Sequence, residues 1–163
     1  MIPGKILRFL ETRANIATSA TRDRELVPHG HRVVGWRVGP DQETLTCLIP
    51  ALFTDHLLAD LEDNGHFAVT IEEIPTHETY QFKGRYLRHR KAAGEDMVAN
   101  ARMRERFVTG LQVLHAGAPA AILAAFILEP AIALDIQVSE IYLQTPGPGA
   151  GTLLAPVAEA GRA

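Results

Sequence analysis

The sequence predicts an α+β protein, mainly antiparallel β, in which about six strands form a barrel-like sheet with two or three peripheral helices. Short runs of alternating apolar and polar residues recur along the chain and are separated by turn residues. Two or three longer runs carry apolar residues at helical spacing. Strands and helices do not alternate regularly, and no Gly-x-Gly-x-x-Gly follows a strand, which argues against a doubly wound parallel sheet.

The first half of the chain reads as a helix, three strands and a helix. The predicted elements are a helix at 3–11, strands at 15–21, 31–38 and 43–50, and a helix at 54–65. Pro3 is a common first residue of a helix, and the turn that begins at Gly39 makes the second and third strands a hairpin. We expect Thr54 or Asp55 to cap the second helix and Gly65 to end it.

The second half reads as two strands, a long helix and a closing strand. The predicted elements are strands at 66–74 and 78–90, a helix at 94–114 with a stripe of Met103, Phe107, Leu111 and Leu114, and a strand at 130–143. The apolar alternation of the closing strand changes phase after Ser139, which indicates a β-bulge or a twist. Two prolines and three glycines in the segment 144–151 then end the strand.

Length and charge limit the class of protein. The 163 residues suit one domain, which we assign to 1–151, followed by a C-terminal tail at 152–163. The net charge of -3 gives no electrostatic reason to expect nucleic acid or an anionic membrane as partner. No signal peptide is recognised, and Pro119 and Glu129 interrupt an apolar stretch too short for a span of about 20 residues. We therefore expect a cytoplasmic protein.

Two polar features have metal-binding or redox interpretations. His29 and His31 are two residues apart, so on a strand both rings would share one face and one metal ion. The sequence shows no third ligand nearby, and no spacing links His56 or His115 to this pair. The two histidines are therefore better explained as polar residues at the mouth of a hairpin, and no metal is expected. Cys47 has no basic neighbour, which favours a small buried side chain over a reactive thiol.

A basic segment at 83–91 surrounds Tyr86 with positive charge. A phosphate contact and a solvated strand end explain it equally well, whereas RNA is not expected without the aromatic spacing of an RNA-binding sheet. We find no P-loop, no nucleophile elbow and no carboxylate pair placed for glycoside hydrolysis. Motifs alone therefore indicate no reaction.

The order of elements resembles the pyridoxamine 5′-phosphate oxidase-like FMN-binding split-barrel family. The resemblance covers residues 1–151 and is carried by IATSAT, ETLTCLIP, TDHLLADLEDNG running into HFAVTI, ETYQFKGRYL with its Gly84, and QTPGPGAG. It implies a six-stranded split β-barrel and a homodimer with two FMN sites between the subunits. It also implies that the flavin carries the redox chemistry on a small organic substrate.

The resemblance implies a cofactor site, but it assigns no catalytic side chain. Arg32 or His31 would lie beside the flavin, and Asp55 and His56 occupy positions of the family's basic phosphate-binding run. Backbone N–H groups near Thr54 would then face the phosphate, and Arg32, Lys83 or Arg85 would supply the charge. The predicted cofactor-binding residues are His31, Arg32, Leu48, Ile49, Pro50, Ala51, Thr54, Asp55, His56, Lys83, Gln144 and Thr145.

Two alternatives to a flavoenzyme stay open on the same scaffold. One is a non-catalytic protein that holds a flavin or a haem, since one of the histidines 29, 31, 56 or 115 would suffice to ligate haem iron. The other is a cofactor-free member of the family. Pyridoxamine phosphate itself is not expected as substrate, because the family's Arg-x-His pattern near the C-terminus is absent.

Overall fold

The structure is a computed structural model that describes residues 1–114, 117 and 128–156. Within these residues, eight strands form one antiparallel sheet and three α-helices pack against it, so the predicted α+β class is confirmed, with eight strands described where about six were predicted. The helices are α1 (Gly4–Thr12), α2 (Thr54–Asn64) and α3 (Glu95–Leu114). The strands are β1 (Ile16–Arg22), β2 (Pro28–Val33), β3 (Trp36–Val38), β4 (Thr44–Pro50), β5 (His66–Glu73), β6 (Glu78–Lys91), β7 (Pro130–Leu143) and β8 (Leu153–Pro156).

The strand order is β2-β1-β5-β6-β7-β4-β3, and β8 pairs with β7. The single strand predicted at 31–38 is divided, because β2 pairs with β1 whereas β3 pairs with β4. Val34 and Gly35 lie at the division and bond to β4: the Val34 N–H donates to Leu48 O, and the Leu48 N–H donates to Gly35 O, both at 2.9 Å. The backbone comes close to α3 here, since a Cβ on Gly35 would lie 3.2 Å from the backbone of Asn100.

The bulge predicted at Ser139 is confirmed. Lys83 pairs with Glu140 and Gly84 pairs with Val138, so Ser139 has no opposite residue on β6. A Cβ on Gly84 would lie 2.1 Å from the carbonyl oxygen of Gln137. Only glycine permits the two strands to approach this closely.

The helices bury one face each against the sheet. α1 buries Ile6, Phe9 and Leu10, and the ring of Phe9 meets Tyr80 edge-on, with 5.0 Å between ring centroids. α3 buries Met103 and Phe107, but Leu111 is half-buried and Leu114 is exposed, so the predicted apolar stripe fades toward the end of this helix. No helix in the described part of the chain is long and apolar enough to cross a membrane.

The predicted cap of α2 is wrong, although its stop is confirmed. Phe53 occupies the N-cap position and no side chain caps the helix. Thr54 instead donates to the carbonyl of Ala51 at 2.9 Å. A 3₁₀ turn at Ala51–Phe53 leads directly into α2, so the backbone is already helical at Thr54 and leaves no extended residue to cap. Gly65 ends α2 with a φ of 67°.

The segment 144–151 ends β7 as predicted, but it also reverses the chain. The Leu143 N–H donates to Thr152 O at 2.9 Å, and the Gly151 N–H donates to Leu143 O at 2.7 Å. β8 then pairs with β7 inside the stretch 152–163 that the sequence assigned to a tail. The rest of that predicted tail, 157–163, lies outside the described residues.

Candidate functional site

A buried polar cluster lies where α2 packs against β1 and β2. We call its members, Thr21, His29, His31 and Asp60, the Asp60 cluster. In the β1–β2 register Thr21 is opposite His29, which brings these side chains to the face that α2 covers. Asp60 comes from α2 and only 3% of its surface is exposed.

Hydrogen bonds link the whole Asp60 cluster. The Thr21 hydroxyl donates to Asp60 Oδ2 at 2.5 Å, and His29 Nδ1 lies 2.8 Å from the same oxygen. His31 Nε2 lies 2.8 Å from the Thr21 hydroxyl. The Thr21 hydroxyl has one proton, which it donates to Asp60, so it can only accept a hydrogen bond from His31. His31 therefore carries its proton on Nε2. The ring of His56 lies outside the cluster, with its centroid 5.3 Å from that of His29.

Burial and hydrogen bonding perturb two groups of the cluster. Burial acts to raise the pKa of Asp60, but hydrogen bonds from Thr21 and His29 together with the neighbouring imidazoles outweigh it and lower that pKa. Burial lowers the pKa of His31; Asp60 opposes this effect, and His29 and His56 add to it. The cluster therefore favours an ionised carboxylate beside a neutral buried imidazole.

The histidine pair seen in the sequence thus has a carboxylate partner. Asp60 stands between Leu57 and Leu61 in the printed sequence, and no spacing there links it to the two histidines. Within the described residues, no three His, Cys, Asp or Glu side chains are arranged to hold a metal ion. His115, also considered for such a site, lies outside the described residues.

The predicted cofactor residues of β4 and α2 are contiguous in space but differ in exposure. They run from the end of β4 through the 3₁₀ turn to the first turn of α2. Leu48, Ile49 and Pro50 are buried, so within one chain they offer a ligand almost no accessible surface. The outer part of the run comprises half-buried Thr54 and exposed Ala51, Asp55 and His56.

The predicted phosphate-binding cations do not gather at this run. The guanidinium of Arg32 lies over the Phe107 ring at 5.6 Å, and the ammonium of Lys83 lies over the Tyr142 ring at 4.5 Å. Arg85 donates to the carbonyl of Asn64, at the far end of α2. The ionisable residue in the first turn of α2 is acidic, Asp55. Within one chain, the residues at this turn do not fit a dianionic phosphate.

The last two predicted residues have structural contacts. The backbone N–H of Gln144 donates to Thr79 O at 2.8 Å, and the backbone N–H of Thr79 donates to Thr145 Oγ1 at 3.0 Å. These bonds hold the start of the turn after β7 against the start of β6.

A cavity of about 540 Å³ lies between α1, β3 and α3, away from the predicted residues. We call it the arginine groove. Its principal lining residues are Leu10, Trp36, Arg37, Val98, Arg102 and Arg106. Glu11 and Glu95 also line it, and its volume falls in the range of roughly 300–1,000 Å³ typical of small-molecule sites.

The three arginines of the groove differ in their partners. Arg37 is paired with Glu95 at 2.8 Å and with Asp96 at 3.1 Å. Arg106 lies over the indole of Trp36 and donates to Leu10 O at 3.2 Å. Burial lowers the pKa of Arg106, and the neighbouring charge of Arg102 lowers it further. Arg102 and Arg106 form no ion pair among the described residues, so the groove offers two guanidiniums beside an aromatic face.

Sequence reasoning missed the groove because its walls come from distant segments. In the sequence Trp36 lies within a predicted strand, and the arginines of α3 lie off the apolar stripe of a predicted helix. Trp36 is the only tryptophan of the chain, and its position beside the arginines of α3 is visible only in the folded chain.

The fold is that of the pyridoxamine 5′-phosphate oxidase-like split-barrel proteins, which confirms the resemblance at the level of fold. The chain is similar to HupZ from Group A Streptococcus, with 16% identity, 93% of this chain and 99% of that chain covered, and a TM-score of 0.55. It is also similar to an F420 reductase, with 10% identity, 82% and 94% coverage, and a TM-score of 0.52.

A third similar structure is a putative pyridoxamine 5′-phosphate oxidase from Lactobacillus delbrueckii, with 10% identity, 86% and 93% coverage, and a TM-score of 0.51. No family model matches the sequence, and no curated protein matches it. Identities this low establish a shared fold and nothing finer.

Proposed function

We propose that the protein binds a flat, anionic small molecule in the arginine groove, and that FMN is the first candidate for this ligand. The observation that carries the proposal is the pair Arg102 and Arg106 beside Trp36, in a groove of about 540 Å³. The Arg106 guanidinium covers the indole of Trp36, which is 6% exposed, so a planar ring would stack on this guanidinium, and a phosphate or carboxylate would form strong charge-assisted bonds with it and with Arg102. The ligand's anionic group is therefore expected at α3 and not at the first turn of α2.

With FMN bound, the protein would be an oxidoreductase for a small organic substrate, since the flavin supplies hydride or electron transfer. The chain's own part would be to bind and orient: Arg102 and Arg106 would hold the phosphate, and Trp36 beneath Arg106 would keep that guanidinium in place. Cys47 contributes no thiolate, because it is fully buried and burial raises its pKa far above neutral pH. We therefore assign no catalytic side chain.

We also propose that the sheet closes into a six-stranded barrel. β2 and β3 stand at opposite ends of the strand order, yet only Val34 and Gly35 separate them in the chain. Counted as one bent strand, they join the two ends of the sheet, and β8 is an addition to the six. The hydrogen bonds of Val34 and Gly35 to Leu48 support this closure.

The predicted homodimer and cytoplasmic location are kept as parts of the proposal. Leu52 is 81% exposed in the 3₁₀ turn beside the predicted cofactor residues. A second chain that covers Leu52 would bury this exposed apolar side chain. Light scattering should then give twice the chain mass, and a monomer at micromolar concentration would contradict the dimer.

Flavin titration tests the proposed ligand. The purified protein is titrated with FMN and, separately, with riboflavin, which lacks the phosphate, while flavin emission and the emission of Trp36 are recorded. We expect FMN to quench Trp36 and to bind at least about tenfold more tightly than riboflavin, since one charge-assisted bond accounts for about 1.5–3 kcal/mol. Unchanged flavin and tryptophan emission would exclude FMN.

Haem binding is a second candidate, favoured by one observation. The His29 side chain is 29% exposed and its Nδ1 bonds to buried Asp60, which is how carboxylates orient metal-ligating histidines. A Soret band after haemin addition that His29→Ala abolishes would support this candidate over flavin. Protein that takes up neither ligand would favour the cofactor-free alternative.

A further inference from the structure

We propose that the arginine groove holds its ligand at two ends, and that Arg37 binds a second oxygen acceptor of that ligand in exchange for the carboxylate of Glu95. The inference rests on the proposed function, because it concerns the same groove, but it adds a binding residue and a ligand class. That class is an elongated, flat molecule with an anionic group at the Arg102 end and a second anionic or carbonyl oxygen at the Arg37 end.

The groove is elongated because one face of α3 forms its longest wall. Glu95, Val98, Ala99, Arg102 and Arg106 all line the groove, and residues at this spacing share one face of a helix. Glu95 and Arg102 are seven residues apart, which is two turns and about 10.5 Å along the helix axis. Val98, which is 50% exposed, lies between them. The wall therefore has an apolar middle and a charged group at each end.

Arg37 lies at the Glu95 end, where a buried carboxylate fixes one side of its guanidinium. Nε and Nη2 of Arg37 both lie 3.1 Å from Asp96 Oδ1, and Asp96 is completely buried. Asp96 is held in turn by Arg90 and by the backbone N–H of Ala93. A guanidinium that a buried partner orients loses little freedom when its remaining N–H groups bind an anion.

The other side of the Arg37 guanidinium is occupied by Glu95. Nη1 of Arg37 donates to Glu95 Oε2 at 2.8 Å, and 85% of the Glu95 side chain is exposed. An ion pair this exposed contributes little to stability, and the carboxylate stays hydrated when it leaves. Glu95 therefore occupies the place of a ligand oxygen, and a ligand can displace it at small cost.

The start of α3 adds to the attraction of this end for negative charge. Glu95 is the first residue of this twenty-residue helix, and the positive end of the helix dipole stabilises an anion in the first turn. The neighbouring carboxylate, Asp96, is already bonded to two arginines. When Glu95 moves away, the N–H that it accepted from Arg37 and the first turn of α3 both face the groove.

The two ends differ in what occupies them. Arg102 and Arg106 form no ion pair among the described residues, so an anion binds there without displacing a carboxylate. At the other end the ligand has to replace Glu95 on Arg37. A ligand with one anionic group should therefore leave Glu95 in place, whereas a ligand with a group at each end should compete with it.

Two rigid aromatic probes test this difference. Biphenyl para-carboxylate has one anionic group, and biphenyl para,para′-dicarboxylate has a second at its far end, at a separation of about two helical turns. Their affinities are measured by titration calorimetry in the wild type, in Glu95→Gln and in Arg102→Gln. We expect the dicarboxylate to bind the wild type about fivefold more tightly than the monocarboxylate, and Arg102→Gln to weaken both.

Glu95→Gln should act on one probe only. We expect it to strengthen dicarboxylate binding by about three- to tenfold, because the competing charge is lost, and to leave monocarboxylate binding within about twofold, because salt screens a charge two turns away. Glu11→Gln is the matched control, since Glu11 also lines the groove but bonds to no arginine in the described part of the chain. It should change both affinities by the same factor.

Two results would overturn the exchange at Arg37. One is a Glu95→Gln effect of equal size on both probes, and the other is a dicarboxylate that binds the wild type no more tightly than the monocarboxylate, a comparison that needs no variant. Monocarboxylate binding that Arg102→Gln weakens would then leave the proposed anion site intact. Failure of both probes to bind any of these proteins would also overturn the exchange, while the FMN titration decides the proposed function separately.

Discussion

The carbonyl of Leu10 accepts hydrogen bonds from two walls of the arginine groove. Trp36 Nε1 and Arg106 Nη1 each donate to it at 3.2 Å, and the Arg106 guanidinium carbon lies 5.9 Å from the centroid of the Trp36 ring. Leu10 is in the last turn of α1, where carbonyls lack helical partners and attract positive charge. The Leu10 carbonyl oxygen therefore links α1 to β3 and α3 and fixes the distance between the walls of the groove.

Arg102→Gln should weaken the binding of an anionic ligand without loss of stability. Arg102 lines the groove and forms no ion pair with a described residue, so its replacement breaks no ion pair. We expect at least about tenfold weaker FMN binding and an unchanged melting temperature. Arg104→Gln on the same helix is the control, because Arg104 pairs with Glu129 and does not line the groove. Equal affinity in Arg102→Gln and the wild type would remove Arg102 from the site.

Gly84→Ala should destabilise the fold. Its Cβ would meet Gln137 O at 2.1 Å in the bulge between β6 and β7, and strands in the middle of a sheet cannot separate locally. We expect a loss of about 3 kcal/mol in the free energy of unfolding, measured in urea. Gly30→Ala on β2 is the control, since no atom lies within 4 Å of the added Cβ, and it should stay within about 0.5 kcal/mol. Equal stability of the two variants would contradict the close approach.

The fold could be predicted from the sequence because local patterns specify most of its elements. Alternating apolar and polar residues identified the segments of β4, β5, β6 and β7. The change of phase at Ser139 located the bulge that Gly84 faces. Two errors have physical causes. A 3₁₀ turn before Thr54 removed the need for a cap, and strand pairing placed β8 directly after a Pro- and Gly-rich turn that reads as a terminator.

The candidate site could be predicted only in part, because its contacts join distant segments. His29 and His31 were identified as a pair on one strand face, but Asp60 lies on another element and looks like a surface residue in the sequence. The groove brings Trp36 to the arginines of α3, some sixty-six residues further along the chain in the case of Arg102. No residue spacing in the sequence predicts either pairing, because each one arises from the register of the strands and from the packing of a helix on the sheet.

Cys47 should be inert to thiol reagents in the native protein. It is fully buried in β4 and burial raises the pKa of its thiol, with nearby Asp135 adding to the effect. Only the thiolate is nucleophilic, so reaction requires unfolding. We expect no reaction with a disulfide reagent at pH 8 over a time in which protein in guanidinium chloride reacts completely. Rapid modification of the folded protein would show that β4 opens to solvent.

Asp96→Asn should be strongly destabilising at neutral pH. Asp96 is completely buried at the start of α3 and bonds to Arg37, to Arg90 and to the backbone N–H of Ala93. The asparagine leaves two arginines facing a neutral group, and breaking a buried pair in this way costs about 3–5 kcal/mol. Glu95→Gln is the matched control, because Glu95 also pairs with Arg37 but is 85% exposed; it should change stability by less than about 1 kcal/mol.

The difference between the wild type and Asp96→Asn should itself depend on pH. The Arg90 hydrogen bonds lower the pKa of Asp96 to about 2 against the opposing effect of burial. A depressed carboxyl pKa contributes stability that is fully present above its ordinary value of 3.8 and is lost as pH falls through about 2. Urea unfolding at pH 7 and at pH 3 should therefore show a smaller gap between the two proteins at pH 3. A gap of constant size would mean that the shape of the side chain, and not its charge, anchors α3.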